Sequence, residues 1–272
     1  MDTTEVHAWF WTMNRGDAKK EWLSVNRLGK SLAEEKAYVG YYKFMCPALP
    51  EVKEYLKKKI TELSEIKGLK GIHMDYVRYV DVILPEAIQP KYNIVQDHEF
   101  PEYDYGYHPY MRKLYKEKYG IDPMEIEDPE NDEQWKQFRY DELNKTVNEL
   151  GEIIKEKNMM WSAAVFPSPE IARTLIRQDW DKWNLDYAFP MVYNNFYNED
   201  IDWIEKIIQT DVAALSENQK VFCGLYLPAL KKSNEISKAV DASFKGGASG
   251  IAFFDYRAIS DKEWEENMSM PK

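Results

Sequence analysis

The chain has 272 residues, 44% of them hydrophobic and 31% charged, which is enough to bury a sizeable core and excludes a disordered or fibrous chain. Forty-seven acidic against 36 basic side chains give a formal net charge of −11, which repels a phosphate backbone and an anionic membrane surface and so excludes nucleic acid as a partner class. Cys46 and Cys223 lie singly in apolar runs and form neither a disulfide framework nor a Cys-based zinc site, no run reaches the roughly 20 apolar residues of a membrane span, and residues 1–5 lack the features of a signal peptide.

The first strand is expected at residues 6–12. Side chains alternate across a strand, so His7, Trp9 and Trp11 share one face. The two indoles offer a stacking platform for a sugar ring. His7 suits a hydroxyl or a neighbouring carboxylate, and a satisfied core histidine is the plainer alternative. A second strand-length run covers 38–46. Residues 50–66 then put Val52, Tyr55, Leu56, Ile60 and Leu63 on one helical face, with Pro50 in the first turn and Gly68 as the stop.

The third run, 71–77, carries Gly71-Ile-His-Met-Asp-Tyr-Val-Arg-Tyr79. Alternation places His73, Asp75 and Val77 on one face and Ile72, Met74 and Tyr76 on the other. A carboxylate at such a strand end can act as a nucleophile or stabilise a cationic transition state, and Arg78 just beyond can keep it ionised. A buried structural Asp–Arg pair is the alternative. Arg78 and Tyr79 also stand as substrate-binding candidates beside His73. A Tyr-rich acidic insertion follows at about 80–134, with its core at 81–131, and long connections of this kind commonly form the lid or wall of a site.

A helix is expected at 135–157 and a strand at 160–166, closed by Pro167-Ser-Pro-Glu170. Glu170 is the best-placed second carboxylate, or else a first-turn residue favoured by the helix dipole. Helix 168–183 leads to strand 185–193, after which Tyr193, Asn194 and Asn195 bring phenol and amide groups suited to sugar hydroxyls, or simply to a turn. Helix 200–215, strand 221–227, helix 233–245 and strand 250–256 complete the order. Asp255 is a third carboxylate at a strand end, ahead of Asp179 and Asp200.

Strand–helix alternation at short spacing means parallel pairing. Polar and aromatic residues gathered at the carboxyl ends of successive strands match the active face of a (β/α)8 TIM barrel, read as a single domain over residues 1–272. An open doubly wound sheet would be expected to show a Gly-rich phosphate turn, and none is present. Seven runs leave a closed barrel at least one strand short. An incomplete barrel has unpaired edges next to the first and last strands, and such edges invite self-association.

Two carboxylates on one active face suit glycoside cleavage, with Asp75 as nucleophile and Glu170 as acid/base and no cofactor required. A carboxyl separation of about 5–5.5 Å would mean retention of configuration, and about 6.5–9.5 Å inversion. Two alternatives remain open. One is a non-catalytic carbohydrate-binding barrel. The other is a metal-dependent sugar-modifying enzyme using His7, His73 and Asp75 as ligands, without any paired-His spacing in its favour.

Glu5-Val-His-Ala-Trp9, Pro50-Glu-Val-Lys-Glu-Tyr55, the Gly71 to Tyr79 motif, Trp135 to Asn144, and Asp179-Trp-Asp-Lys-Trp183 with Leu185 to Tyr193 resemble glycosyl-hydrolase-like family 10 over most of the chain. The resemblance implies a bacterial, mostly exported TIM barrel acting on polysaccharides. In that frame residues 5–10 are the third barrel strand, 71–77 the fourth and 250–256 the eighth, so the first two strands and an export signal are absent from this sequence. The chain also resembles retaining α-glycosidase barrels, in which the nucleophile ends the fourth strand, a role that falls on Asp75. Pro167-Ser-Pro-Glu170 departs from the family pattern at the end of the fifth strand.

Overall fold

Six parallel strands pair in the order of the sequence in the computed structural model, which describes residues 4–231 and 234–260. They are β1 (Val6–Trp11), β2 (Leu69–Asp75), β3 (Met160–Val165), β4 (Tyr187–Pro190), β5 (Lys220–Tyr226) and β6 (Gly250–Phe254). The connections carry α1 (Pro50–Ser64), α2 (Pro109–Tyr119), α3 (Glu133–Glu156), α4 (Pro169–Ile176), α5 (Asp202–Ala213) and α6 (Glu235–Lys245). The sheet curls far enough for Trp9 of β1 and Phe254 of β6, its two end strands, to meet edge to face at 6.4 Å. The result is an α/β half-barrel of the incomplete TIM-barrel kind.

The two faces of the sheet have different fates. Ile72, Met74, Trp161, Ala163, Val165, Ala188, Val221, Cys223 and Leu225 are at most 2% exposed, on the convex side under the helices. Fully burying a large aliphatic side chain contributes about 1.5–3 kcal/mol, so this layer is a substantial part of the fold's stability. Close approach is part of it: a Cβ on Gly151 of α3 would fall 2.2 Å from the Trp161 ring. The alternate residues face the concave side. There Gly71 makes room for His7, whose Nδ1 would lie 2.5 Å from an added Cβ. Concave residues of the end strands stay open, with Trp9 57% and Phe254 42% exposed.

Two expectations need correction. Residues 38–46 form no strand of the sheet. Their backbone makes isolated antiparallel bridges, Asn14 with Phe44 and Leu23 with Met45, and Tyr38, Tyr42, Phe44, Met45 and Cys46 are buried as a loop packed on the core. Their hydrophobicity serves burial rather than pairing, which leaves six strands. The helix expected over 168–183 ends at Ile176, because Arg177 turns left-handed (φ 53°) and points its guanidinium into a buried ion pair with Glu99. The insertion holds α2, whose Met111 and Tyr115 are buried, and three-ten turns, and its buried residues join the main core cluster of the sheet and α3. The start of the helix expected at 233 lies outside the described residues.

Among the described residues β1 pairs only with β2 and β6 only with β5, so each leaves one edge unpaired. Unpaired edges template pairing with another chain. Concentration-dependent association is therefore expected in sedimentation velocity, reduced by Val6→Lys on the β1 edge, where Val6 is 55% exposed. A monomer across the whole concentration range would contradict it.

Candidate functional site

Asp75 is the last residue of β2 and faces the concave side, paired in register with Trp11. Its two oxygens are held separately. Oδ1 accepts from the Tyr76 backbone N–H at 2.6 Å and Oδ2 from the Trp9 indole N–H at 2.9 Å. Tyr76 takes a left-handed backbone (φ 51°), a costly conformation for a bulky residue, and the turn it makes delivers its N–H to the carboxylate. The turn also breaks the strand alternation, so Val77 is fully buried in the core instead of sharing the face of Asp75. Burial pushes the Asp75 carboxyl above its ordinary value, against the opposing pull of the Tyr76 N–H, the Trp9 indole and the charge of Arg78.

Rings surround this carboxylate on both sides. Trp9 and Trp11 meet edge to face at 6.2 Å, Trp11 packs on Tyr76 at 4.6 Å, and Tyr41 lies beyond at 6.3 Å. Opposite, Tyr193 lies 5.2 Å from Tyr226 and stacks on Phe254 at 6.3 Å. Burial, reinforced by the charge of Asp75, raises the Tyr193 phenol well above its ordinary value. Deeper in the half-barrel, His73 shares a 3.0 Å hydrogen bond with Ser162 Oγ and meets Phe189 at 4.8 Å, and Phe189 stacks on Phe222 at 5.0 Å. Sequence reasoning missed Tyr41, Ser162, Phe189, Phe222, Tyr226 and Phe254. The same period-two alternation, applied to β3 to β6, places all but Tyr41 on the concave face.

Burial, helped by His7, lowers the His73 pKa to about 4. Its folded value lies below the unfolded 6.5, so this part of the stability is present above pH 6.5 and is lost as pH falls from there towards about 4. The loss is at most about 3 kcal/mol. In urea titrations at pH 7 and pH 4, His73→Gln is expected to narrow the stability gap between the two; an unchanged gap would remove His73 as its source.

The other candidates fall into groups. His7 faces the concave side at the strand starts, 3.7 Å from Glu5. Asn194 donates to the Glu199 carbonyl at 2.9 Å in a turn, and Asn195 is exposed beside it. Arg78 is not the direct partner of Asp75. Its guanidinium lies 3.0 Å from Asp81, donates to the Tyr42 hydroxyl and the Tyr79 carbonyl, and sits over the Phe44 ring at 5.0 Å, because the left-handed turn at Tyr76 sends it into the core. Tyr79 is 2% exposed with its hydroxyl donating to the Arg139 carbonyl, so it is a core residue and not a groove residue.

Glu170 is exposed in the first turn of α4, where Ser168 Oγ accepts from the Ile171 N–H at 3.1 Å. The Ser168 N–H in turn donates to Oδ1 of the buried Asp211 at 2.8 Å. Asp255 is held by Arg257 at 3.2 Å, a pairing that lowers its pKa. Asp179 is buried against Arg173 at 2.5 Å, and Asp200 caps a turn through the Trp203 N–H at 3.1 Å. Among the described residues no three His, Cys, Asp or Glu side chains converge as metal ligands, and no helix is long and apolar enough to cross a membrane.

The insertion behaves as a fixed wall. Glu99 and Asp104 from it pair with Arg177 and with Arg139 of α3, all four at most 7% exposed. Tyr107 donates to Asp104 at 2.9 Å and accepts from the Trp135 indole at 3.1 Å. The segment is thus tied by buried charges to α3 and to Arg177, just beyond the end of α4.

No family model matches the chain, and no curated protein matches it. Solved structures do. The PgaB (BpsB) glycoside hydrolase domain from Bordetella bronchiseptica superposes with a TM-score of 0.67 at 12% identity, over 98% of this chain and 76% of that one. The catalytic domain of β-amylase from Paenibacillus polymyxa does so with a TM-score of 0.57 at 11% identity, over 91% of this chain and 71% of that one. At these identities the likeness is one of fold: the chain is built like the barrels of glycoside hydrolases.

Proposed function

We propose that the protein is a glycoside hydrolase that cleaves a poly- or oligosaccharide in the aromatic groove of the concave face, with Asp75 as nucleophile and Glu170 as acid/base. The observation that carries this reading is Asp75 itself, a carboxylate at a strand end, held at both oxygens by N–H donors and flanked by open ring faces. Glycoside cleavage passes through an oxocarbenium-like transition state, which a fixed carboxylate stabilises or captures, while sugar rings stack on indole and phenol faces. The fold shared with two carbohydrate-acting barrels supports the same reading.

The resemblance to glycosyl-hydrolase-like family 10 belongs to this proposal, and with it β1 as the third strand of a (β/α)8 barrel and an exported, bacterial setting. Two strands placed between β6 and β1 would complete the barrel, and carbohydrate is the expected partner. Incubation with a panel of soluble polysaccharides and aryl glycosides, followed by reducing-end or chromophore release, tests the function. Turnover is the expected result. Saturable glycan binding without product release would instead indicate a carbohydrate-binding barrel, the reading favoured by the exposed position of Glu170.

A further inference from the structure

Trp9 differs from the other rings of the concave face in combining a polar bond to Asp75 with an open surface. It is 57% exposed, and its indole N–H reaches from β1 to Oδ2 of Asp75 at the end of β2. The register pairs Trp9 with His73, so the indole leans along the strand towards the residue two places on. Trp11 at 6.2 Å and Phe254 at 6.4 Å meet it edge to face.

We propose that Trp9 is the positioning residue of Asp75: its N–H locks the rotation of the carboxylate, and its free ring face receives the sugar beside the reacting bond. The inference rests on the hydrolase reading and deepens it. A carboxylate has about four lone-pair sites. With one donor on each oxygen the group cannot turn about its own axis, and the remaining lone pairs keep a fixed direction into the groove. Holding a nucleophile within a fraction of an ångström of its attack geometry is worth orders of magnitude in rate, and a misplacement of 1 Å costs about 10²-fold. A sugar stacked on the same indole would restrict the motion of the ring that carries the N–H, so substrate binding and carboxylate alignment would reinforce each other.

Besides Trp9, the titratable and charged groups acting on Asp75 are Arg78 from the loop after β2, Tyr76 next to it and Tyr193 beyond β4. The indole N–H stabilises the ionised carboxylate, so its removal shifts the Asp75 titration to higher pH. The test is Trp9→Phe, which keeps a ring and deletes the N–H, with Phe254→Leu as the control that disturbs ring packing and keeps it. Carbon-13 NMR of the Asp75 carboxyl, assigned by its disappearance in Asp75→Asn, reads the midpoint without any substrate.

In Trp9→Phe the midpoint should move to higher pH and stay in place in Phe254→Leu. On a cleaved glycan, kcat of Trp9→Phe should fall about 10- to 100-fold with KM within about twofold, and the acid limb of the rate profile should follow the NMR midpoint. A midpoint that does not move in Trp9→Phe overturns the positioning role whatever the glycan panel gives. A moved midpoint together with a flat panel upholds the Trp9–Asp75 coupling and overturns the hydrolase reading instead.

Discussion

Asp75→Asn is expected to lower glycan cleavage by at least about 10³-fold while leaving the protein as stable as before, or more so. Removing a nucleophile takes away a whole step of the reaction, and losses of this order correspond to about 4 kcal/mol of transition-state stabilisation. The stability side follows from the sign of the shift. Burial raises the folded pKa of Asp75 above its unfolded value, so its ionisation works against the fold as pH rises through the folded value. A neutral carboxamide of the same shape relieves that penalty. It gives up one of two hydrogen bonds, because its NH2 end cannot accept from Trp9 or Tyr76. Thermal unfolding at pH 7 beside the cleavage assay separates the cases: lost activity with an undiminished Tm marks a functional carboxylate, whereas a large fall in Tm marks a structural one.

Asp104→Ala is expected to have the opposite profile, with a loss of about 3–5 kcal/mol of stability. Asp104 is 1% exposed and Arg139 is fully buried, with Nη1 at 2.5 Å from Oδ1. Arg177 approaches the same oxygen at 4.0 Å while pairing with Glu99. Two cations and two carboxylates thus balance inside the wall. Arg139 is further held by the Trp135 ring, 4.7 Å from its guanidinium, which partly compensates Nε and Nη2 for having no hydrogen-bond acceptor among the described residues. Without Asp104 the guanidinium is buried without a direct partner, and the Tyr107 hydroxyl loses its acceptor. The corresponding fall in Tm is roughly 6–20 °C for a domain of this size. Calorimetry checks it; a change under about 2 °C would show that the wall is not held by these charges.

The parts of this molecule governed by local periodicity could be read from the sequence. Asp75 and His73 on one face of β2, Trp9 and Trp11 on one face of β1, and the helix that buries Val52, Leu56 and Ile60 follow from spacing alone. The parts governed by the chain's return on itself could not. Arg78 looks like the partner of Asp75, but one left-handed residue at Tyr76 turns it towards Asp81. The apolar run at 38–46 carries a strand's composition and is spent on burial instead. The insertion's length and its acidic and aromatic residues suggest the lid or wall of a site. What fixes them is Arg139 and Arg177, 35 and 78 residues away in sequence, a pairing no local pattern announces. Asp75 lies at the strand end where alternation puts it, while most of the groups around it are set by tertiary contacts.

The most direct test of the central claim is reducing-end release from a polysaccharide panel by the wild-type chain and by Asp75→Asn side by side, with both shown to be folded. The expected result is release by the wild type and at least about 10³-fold less by the variant. Equal release by both would contradict the place given to Asp75, and glycan binding without release by either would contradict hydrolysis itself.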